Sequence, residues 1–265
     1  MILDEILAET RLEVARRKAR VSALDMERLA LVAPPCGASA NRSLGESLGR
    51  PGIRCISEIK RRSPSVGWIR ENADAVAIAR AYRDAGAAAI SVLTDGPFFG
   101  GSLDDLRAVR AAVQIPLLRK DFMVDGYQVA EARLAGADAI LLIVAALQDA
   151  ELKHLHDEAG RFGLEVLVEA HTEEEVARAV ALGARIVGVN HRDLKTFKVD
   201  TTLAIRMRNA VPVGTLVVAE SGIRDQSDVG RMQAGGIDAI LVGESLMKTA
   251  NPGEALAELI GHTNP

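Results

Sequence analysis

The sequence predicts a single α/β domain of the (β/α)8, or TIM-barrel, class with an N-terminal helical extension, on three observations. Four segments repeat one short theme: Ala85-Gly86-Ala87-Ala88-Ala89-Ile90, Ala135-Gly136-Ala137-Asp138-Ala139-Ile140, Leu182-Gly183-Ala184-Arg185-Ile186-Val187 and Ala234-Gly235-Gly236-Ile237-Asp238-Ala239-Ile240. Each reads as the end of an amphipathic helix, a glycine able to close it in the left-handed conformation, and a short apolar run of buried-strand type. The marker glycines Gly86, Gly136, Gly183 and Gly235 lie 50, 47 and 52 residues apart. That spacing holds two strand–helix units, so four periods give about eight strands. Finally, the 265 residues fit one barrel of about 250 residues with a little left for decoration.

Taken in order, residues 1–50 form the extension and residues 51–265 the barrel. Ile2, Leu3, Ile6, Leu7 and Val14 give one apolar helical face. Arg16, Arg17, Lys18 and Arg20 load the end of that helix, where cations favour its dipole, and read as a solvated helix end. Pro34-Pro35 breaks the extension, and a short helix restarts at Asn41-Arg42-Ser43-Leu44 and runs up to Gly49. The extension is expected to pack over one end of the barrel. Strands are predicted near 53–60, 89–94, 117–120, 138–143, 165–169, 186–190, 215–219 and 238–242, with helices filling most of the gaps. The longest break, residues 61–70, follows the first strand directly. Long loops at the catalytic face often act as lids, and Gly67 offers this one a hinge.

Composition narrows the function. A hydrophobic content of 48% with only 3% aromatic residues suits the small, branched layers of a barrel interior. The formal net charge is −4 without a basic face or stacking platforms, which argues against nucleic-acid binding. Cys36 and Cys55 have no metal-ligand spacing and read as free thiols of a reducing compartment. The N-terminus has no signal-peptide pattern and no run approaches membrane-spanning length, so a cytoplasmic protein without membrane association is expected. His154 and His156 lie two apart on a helix and share no face, and no metal site is expected.

Charge concentrates where several strands end: Ile56-Ser57-Glu58-Ile59-Lys60, Leu117-Leu118-Arg119-Lys120-Asp121, Val166-Leu167-Val168-Glu169 and Val217-Val218-Ala219-Glu220-Ser221-Gly222. In a parallel barrel those ends line the active-site mouth. Alternation puts Ile56, Glu58 and Lys60 on one strand face and Cys55, Ser57 and Ile59 on the other. With the second set against the helices, Glu58 and Lys60 meet Lys120, Glu169, Asn190, Arg192 and Glu220 in the mouth. Ion pairs that merely satisfy the barrel top are the alternative, but converging charges in a poorly solvated cup stabilise little after desolvation, which favours function.

A phosphate site is predicted from Ser221-Gly222 after the seventh strand and from Gly243-Glu244-Ser245-Leu246-Met247, the start of a short helix after the eighth. Ser63 adds a hydroxyl from the first loop. Glu244 serves through its backbone N–H, with its side chain turned away from a dianion. His191 is expected to face away from Asn190 and Arg192. Phe99 and Phe122 are either ordinary core or a wall for a flat substrate ring.

Five stretches taken together resemble the indole-3-glycerol phosphate synthase family: Ser57-Glu58-Ile59-Lys60-Arg61-Arg62-Ser63-Pro64-Ser65, Arg119-Lys120-Asp121-Phe122, Leu167-Val168-Glu169-Ala170, Gly188-Val189-Asn190-His191-Arg192-Asp193-Leu194 and Ala219-Glu220-Ser221-Gly222-Ile223. The likeness runs from about residue 50 to the C-terminus, and the helical extension also fits. It implies conversion of 1-(2-carboxyphenylamino)-1-deoxyribulose 5-phosphate to indole-3-glycerol phosphate, carbon dioxide and water. It also implies Lys120 as the acid, Lys60 near the anthranilate carboxylate and a proton donor for dehydration, and Glu169 as base or as stabiliser of a cationic intermediate. Glu58, Asn190, Arg192 and Glu220 would orient these groups. No cofactor is implied, because loss of carbon dioxide restores aromatic conjugation. The implied partner is a small phosphorylated substrate acting on a monomer; docking to other tryptophan-pathway enzymes is left open. An isomerase barrel working through a Cys and Asp pair is disfavoured by Glu58, Lys60 and Lys120, and a silent scaffold by the intact catalytic positions.

Overall fold

A computed structural model describes residues 2–193, 196 and 198–261; Leu194, the last residue of one of the motifs above, lies outside them. The extension contributes α1 (Ile2–Lys18), α2 (Ala23–Leu31) and α3 (Leu44–Leu48). The barrel strands are β1 (Arg54–Ile59), β2 (Ala89–Leu93), β3 (Leu117–Lys120), β4 (Ala139–Ile143), β5 (Glu165–Ala170), β6 (Ile186–Asn190), β7 (Leu216–Glu220) and β8 (Ala239–Val242). All pair in parallel, and β1 pairs with both β2 and β8, so the sheet closes. Between them run α4 (Ala75–Asp84), α5 (Leu103–Ala112), α6 (Gly126–Ala135), α7 (Asp149–Arg161), α8 (Glu173–Leu182), α9 (Leu203–Met207) and α10 (Gln226–Ala234). After β8 come α11 (Glu244–Met247) and α12 (Pro252–Leu259).

Local chemistry starts and stops these helices. Asp74, Ser102, Asp125, Thr172 and Asp225 each accept backbone N–H groups at an N-cap, satisfying donors that the helix leaves unpaired. Three of the marker glycines, Gly86, Gly136 and Gly183, close their helices at positive φ. In the fourth period the structure departs from expectation: Gly235 has φ −80° and its neighbour Gly236 takes the left-handed conformation, at 75°. A Gly-Gly pair lets the helix continue one residue before it turns.

Two apolar layers follow from strand alternation. Ile56, Leu118, Leu141, Leu167, Val218 and Leu241 fill the barrel, whereas Cys55, Ile59, Val92, Leu142, Val168 and Val189 pack against the helices. Both cysteines are free and buried, and burial pushes the Cys55 thiol up to about 12. Arg119 also points outward and is 1% exposed. Its guanidinium donates to Thr94 Oγ1 at 3.0 Å, the Gln128 carbonyl at 2.7 Å and Asp121 Oδ2 at 2.8 Å. Such charge-assisted bonds offset the desolvation of an interior cation.

The extension reaches both ends of the barrel, which corrects the expectation of one. At the amino ends of the strands α3 plugs the barrel, with Leu44 and Leu48 buried among Ile56, Ala89, Ala139 and Ala239; each such burial contributes roughly 1.5–3 kcal/mol. Glu165, the first residue of β5, accepts the backbone N–H groups of Leu44 and Gly45 and the Ser43 hydroxyl. Asp138 takes Gly37 N at 2.8 Å and Arg42 Nε at 2.9 Å. At the other end, Ile2, Leu3 and Ile6 of α1 lie over the mouth. The basic end of α1 is likewise more than a solvated terminus. Arg17 pairs with buried Glu131 at 2.9 Å and Lys18 with Asp125 at 2.6 Å, tying α1 along α6.

Candidate active site

The carboxyl ends of the strands open into a cavity of about 430 Å³, within the range of small-molecule sites. Every residue predicted for the site lines it: Glu58, Lys60, Ser63, Phe99, Lys120, Phe122, Glu169, Asn190, Arg192, Glu220, Ser221, Gly222, Gly243 and Glu244. The reason is parity. Glu58, Lys120, Glu169 and Glu220 sit at inward-facing positions of their strand ends, one step above Ile56, Leu118, Leu167 and Val218 of the barrel interior.

The floor of the mouth is a charge cluster. Lys120 Nζ stands 3.2 Å from Glu169 Oε2 and 3.9 Å from Glu220 Oε2, and Lys60 Nζ is 2.9 Å from Glu58 Oε1. Burial penalises the Lys120 ammonium, but Glu169, Glu220 and Glu58 outweigh that penalty and hold its pKa above the ordinary lysine value. Burial also opposes ionisation of Glu169, yet the Lys120 ammonium and His171 keep this carboxyl below the usual range. Glu220 goes the other way: burial and the neighbouring Glu169 charge raise it well above the usual carboxylate value. Two carboxyls a strand apart are thus driven in opposite directions, the pattern that separates acid from base roles. Gly188 of β6 leaves the room Glu220 needs, because a Cβ there would collide with Glu220 Oε1.

Beside this cluster the backbone turns sharply after β7. Ser221 at φ 67° and Gly222 at φ 77° follow β7, both at positive φ. Ser221 is one of few non-glycine residues with positive φ, a strained choice that favours a functional reading. His191 faces away from the cavity, as its neighbours require, and its Nδ1–H donates to the Ser221 carbonyl at 2.9 Å. Next to this turn, α11 starts at Glu244, whose carboxylate is drawn aside by Lys248 Nζ at 2.6 Å and Arg192 at 3.6 Å. Asn190 Oδ1 accepts Arg192 N at 3.0 Å, shaping the turn after β6.

An aromatic wall completes the mouth. Phe99 and Phe122 lie with ring centroids 5.9 Å apart. Asp95 holds the Phe99 loop by accepting the N–H groups of Phe98 at 2.7 Å and Phe99 at 3.0 Å. Residues 61–70 form a short antiparallel hairpin, Arg62–Ser63 with Gly67–Trp68. Arg61 pins its base through Asp105 and the carbonyls of Ala73 and Gly100.

Two features escaped sequence reading. Ile2, Leu3 and Ile6 line the mouth, although their apolar spacing signalled only a packed helix face. His171, just past β5, contacts Glu169; the signal was its place two residues after a charged strand end.

A closed parallel barrel with acids and ammonium groups converging at its carboxyl rim defines a (β/α)8-barrel enzyme. Solved structures agree on the fold: a 3-hexulose-6-phosphate synthase superposes with a TM-score of 0.62 at 17% identity, over 80% of this chain and 100% of that one. A mutant tryptophan synthase α-subunit from Pyrococcus furiosus superposes at 0.61 and 15%, covering 78% and 98%. In sequence, the indole-3-glycerol phosphate synthase family model matches residues 3–259. Indole-3-glycerol phosphate synthases of Nocardioides sp. and Rhodopirellula baltica are 50% and 49% identical to it, over 98% of both chains and over 93% and 94% respectively. The chain belongs to the indole-3-glycerol phosphate synthase family.

Proposed function

We propose that this protein closes the indole ring of 1-(2-carboxyphenylamino)-1-deoxyribulose 5-phosphate, releasing carbon dioxide and water to give indole-3-glycerol phosphate in tryptophan biosynthesis. The observation that carries the reading is the Lys120 ammonium held against Glu169 at the rim, beside the Ser221–Gly222 turn. The phosphate binds at that turn, capped by the N–H groups of Gly243 and Glu244, the Ser63 hydroxyl and the Arg192 guanidinium. The anthranilate ring lies against Phe99 and Phe122, with its carboxylate towards Lys60.

Lys120 protonates the ribulose carbonyl oxygen as the carboxylate-bearing ring carbon attacks. The nitrogen becomes a cationic imine as aromaticity is lost, and Glu169 stabilises that charge. Loss of carbon dioxide restores the ring electrons, so no external electron sink is needed. Lys60, oriented by Glu58, then protonates the departing hydroxyl while the Lys120 amine, freed by the first transfer, takes a proton from the adjacent methylene carbon to form the ring double bond. Lys60 regains its proton from solvent, and Asn190 and Glu220 hold the substrate hydroxyls. General acid–base help of this kind contributes typically ~10²–10⁴-fold, and positioning supplies much of the remainder.

The working enzyme is read as a monomer in which residues 1–50 extend the barrel of residues 51–265. Among the described residues no helix is long and apolar enough to cross a membrane, in keeping with a cytoplasmic enzyme. The test is turnover: purified protein mixed with the carboxyphenylamino-deoxyribulose phosphate should develop indole fluorescence. A folded protein that binds the compound without turning it over would contradict the reading.

A further inference from the structure

Alternation along β5 continues past its end. His171 therefore turns its ring to the same side as Glu169, and the ring is only 7% exposed. Nδ1 lies 3.2 Å from Glu175 Oε2, the oxygen that also accepts the His171 backbone N–H at 2.7 Å. Glu175 stands in the first turn of α8, where Thr172 caps its backbone N–H, so the helix start fixes the ring. With Nδ1–H given to Glu175, Nε2 faces Glu169 and stops 3.3 Å from Oε1, buried and without an aligned hydrogen-bond partner. The other oxygen of Glu169 takes Lys120. Glu169 of β5 and Glu175 of α8 are the charged groups that face the ring, and both favour its imidazolium form.

An unaligned buried donor costs free energy unless something later aligns it, and contacts in a ligand-free site often tighten only around the substrate. We propose that His171 is a positioning residue: anchored by Glu175, it holds Oε1 of Glu169 so that Oε2 stays on Lys120 during ring closure. The proposal rests on the reading above, in which Lys120 and Glu169 act on the substrate. It deepens that reading by giving Glu169 two cationic neighbours. When Lys120 gives up its proton, His171 remains and keeps Glu169 an anion, suited to stabilising a cationic intermediate and not to collecting a proton.

Two near-isosteric changes separate this role from simple anchoring of α8. Gln reproduces the position of Nε2 and Asn that of Nδ1. His171→Gln should retain more than a third of wild-type kcat, whereas His171→Asn should lose about tenfold in kcat with KM changed less than twofold. The reverse order, Asn active and Gln impaired, would leave His171 a helix anchor and overturn the proposal. A measurement on the wild-type enzyme needs no variant: nitrogen NMR of the ring at pH 8 should find both nitrogens protonated. An unprotonated Nε2, which has nothing to donate to Glu169, would equally overturn it. A wild type that shows no ring closure at all would instead bring down the underlying reading, and this proposal with it.

Discussion

Lys120 of β3 and Glu169 of β5 meet across the barrel mouth, Nζ to Oε2 at 3.2 Å, with the apolar end of β4 lying between their strands. The contact is possible because both side chains sit at inward positions at the tops of their strands, where the walls converge. Its environment sets its chemistry. Glu169 and Glu220 keep Lys120 charged despite burial, and the protonated form is the one the proposed acid role requires.

The phosphate role proposed for the turn after β7 depends on one absent side chain. A Cβ at Gly222 would meet Val199 Cγ1 at 2.6 Å and Thr201 Cγ2 at 2.9 Å, at a φ that already disfavours it. Gly222→Ala should raise KM for the phosphorylated substrate about tenfold or more while kcat falls less. Steady-state kinetics check this, with inorganic phosphate inhibition weakened in parallel.

Glu165 locks the α3 plug by accepting three donors at once. Glu165→Ala leaves the N–H groups of Leu44 and Gly45 without their acceptor, at roughly 1–3 kcal/mol for each buried group left unpaired. Urea unfolding should show a loss of about 2–4 kcal/mol, with kcat at low denaturant little changed because α3 lies at the end of the barrel away from the mouth.

Asp95 gives a pH prediction with a defined sign. Burial and then the neighbouring Asp121 charge raise its pKa to about 6, despite the N–H groups of Phe98 and Phe99. The folded state therefore holds a proton that the unfolded chain, near 3.8, releases earlier. Its contribution to stability falls as pH rises from about 4 to 6 and remains unfavourable above that. Asp95→Asn retains an acceptor for the loop and should raise stability at pH 7 by about 1–2 kcal/mol, with no gain at pH 4. Equal effects at both values would rule out this origin.

Much of this was legible in the chain, for reasons that differ by element. The helix–Gly–strand repeat located four strands and the charge-ended apolar runs alternating with its copies the other four, because a strand buried on both faces has little choice but Val, Ile, Leu and Ala. Period-two alternation then placed Glu58, Lys60, Lys120, Glu169 and Glu220 in one mouth. The extension was harder: Ile2, Leu3 and Ile6 look like any packed helix face, and nothing local says that Arg17 reaches Glu131 while Leu44 plugs the far end. Arg17 to Glu131 spans more than a hundred residues, as do Lys18 to Asp125 and Ser43 and Leu44 to Glu165. His171 was hidden by position, since a residue just before a Thr cap reads as part of a helix start. In the fourth repeat, two adjacent glycines left the turning residue ambiguous until the backbone chose Gly236.

The most direct test of the account is Lys120→Ala, read by single-turnover indole fluorescence together with the affinity for indole-3-glycerol phosphate. Loss of at least ~10³-fold in rate, in line with removal of a general acid, with product affinity within a few-fold of wild type, is the predicted result. A variant that closes the ring at close to the wild-type rate would contradict the account and remove Lys120 from the chemistry.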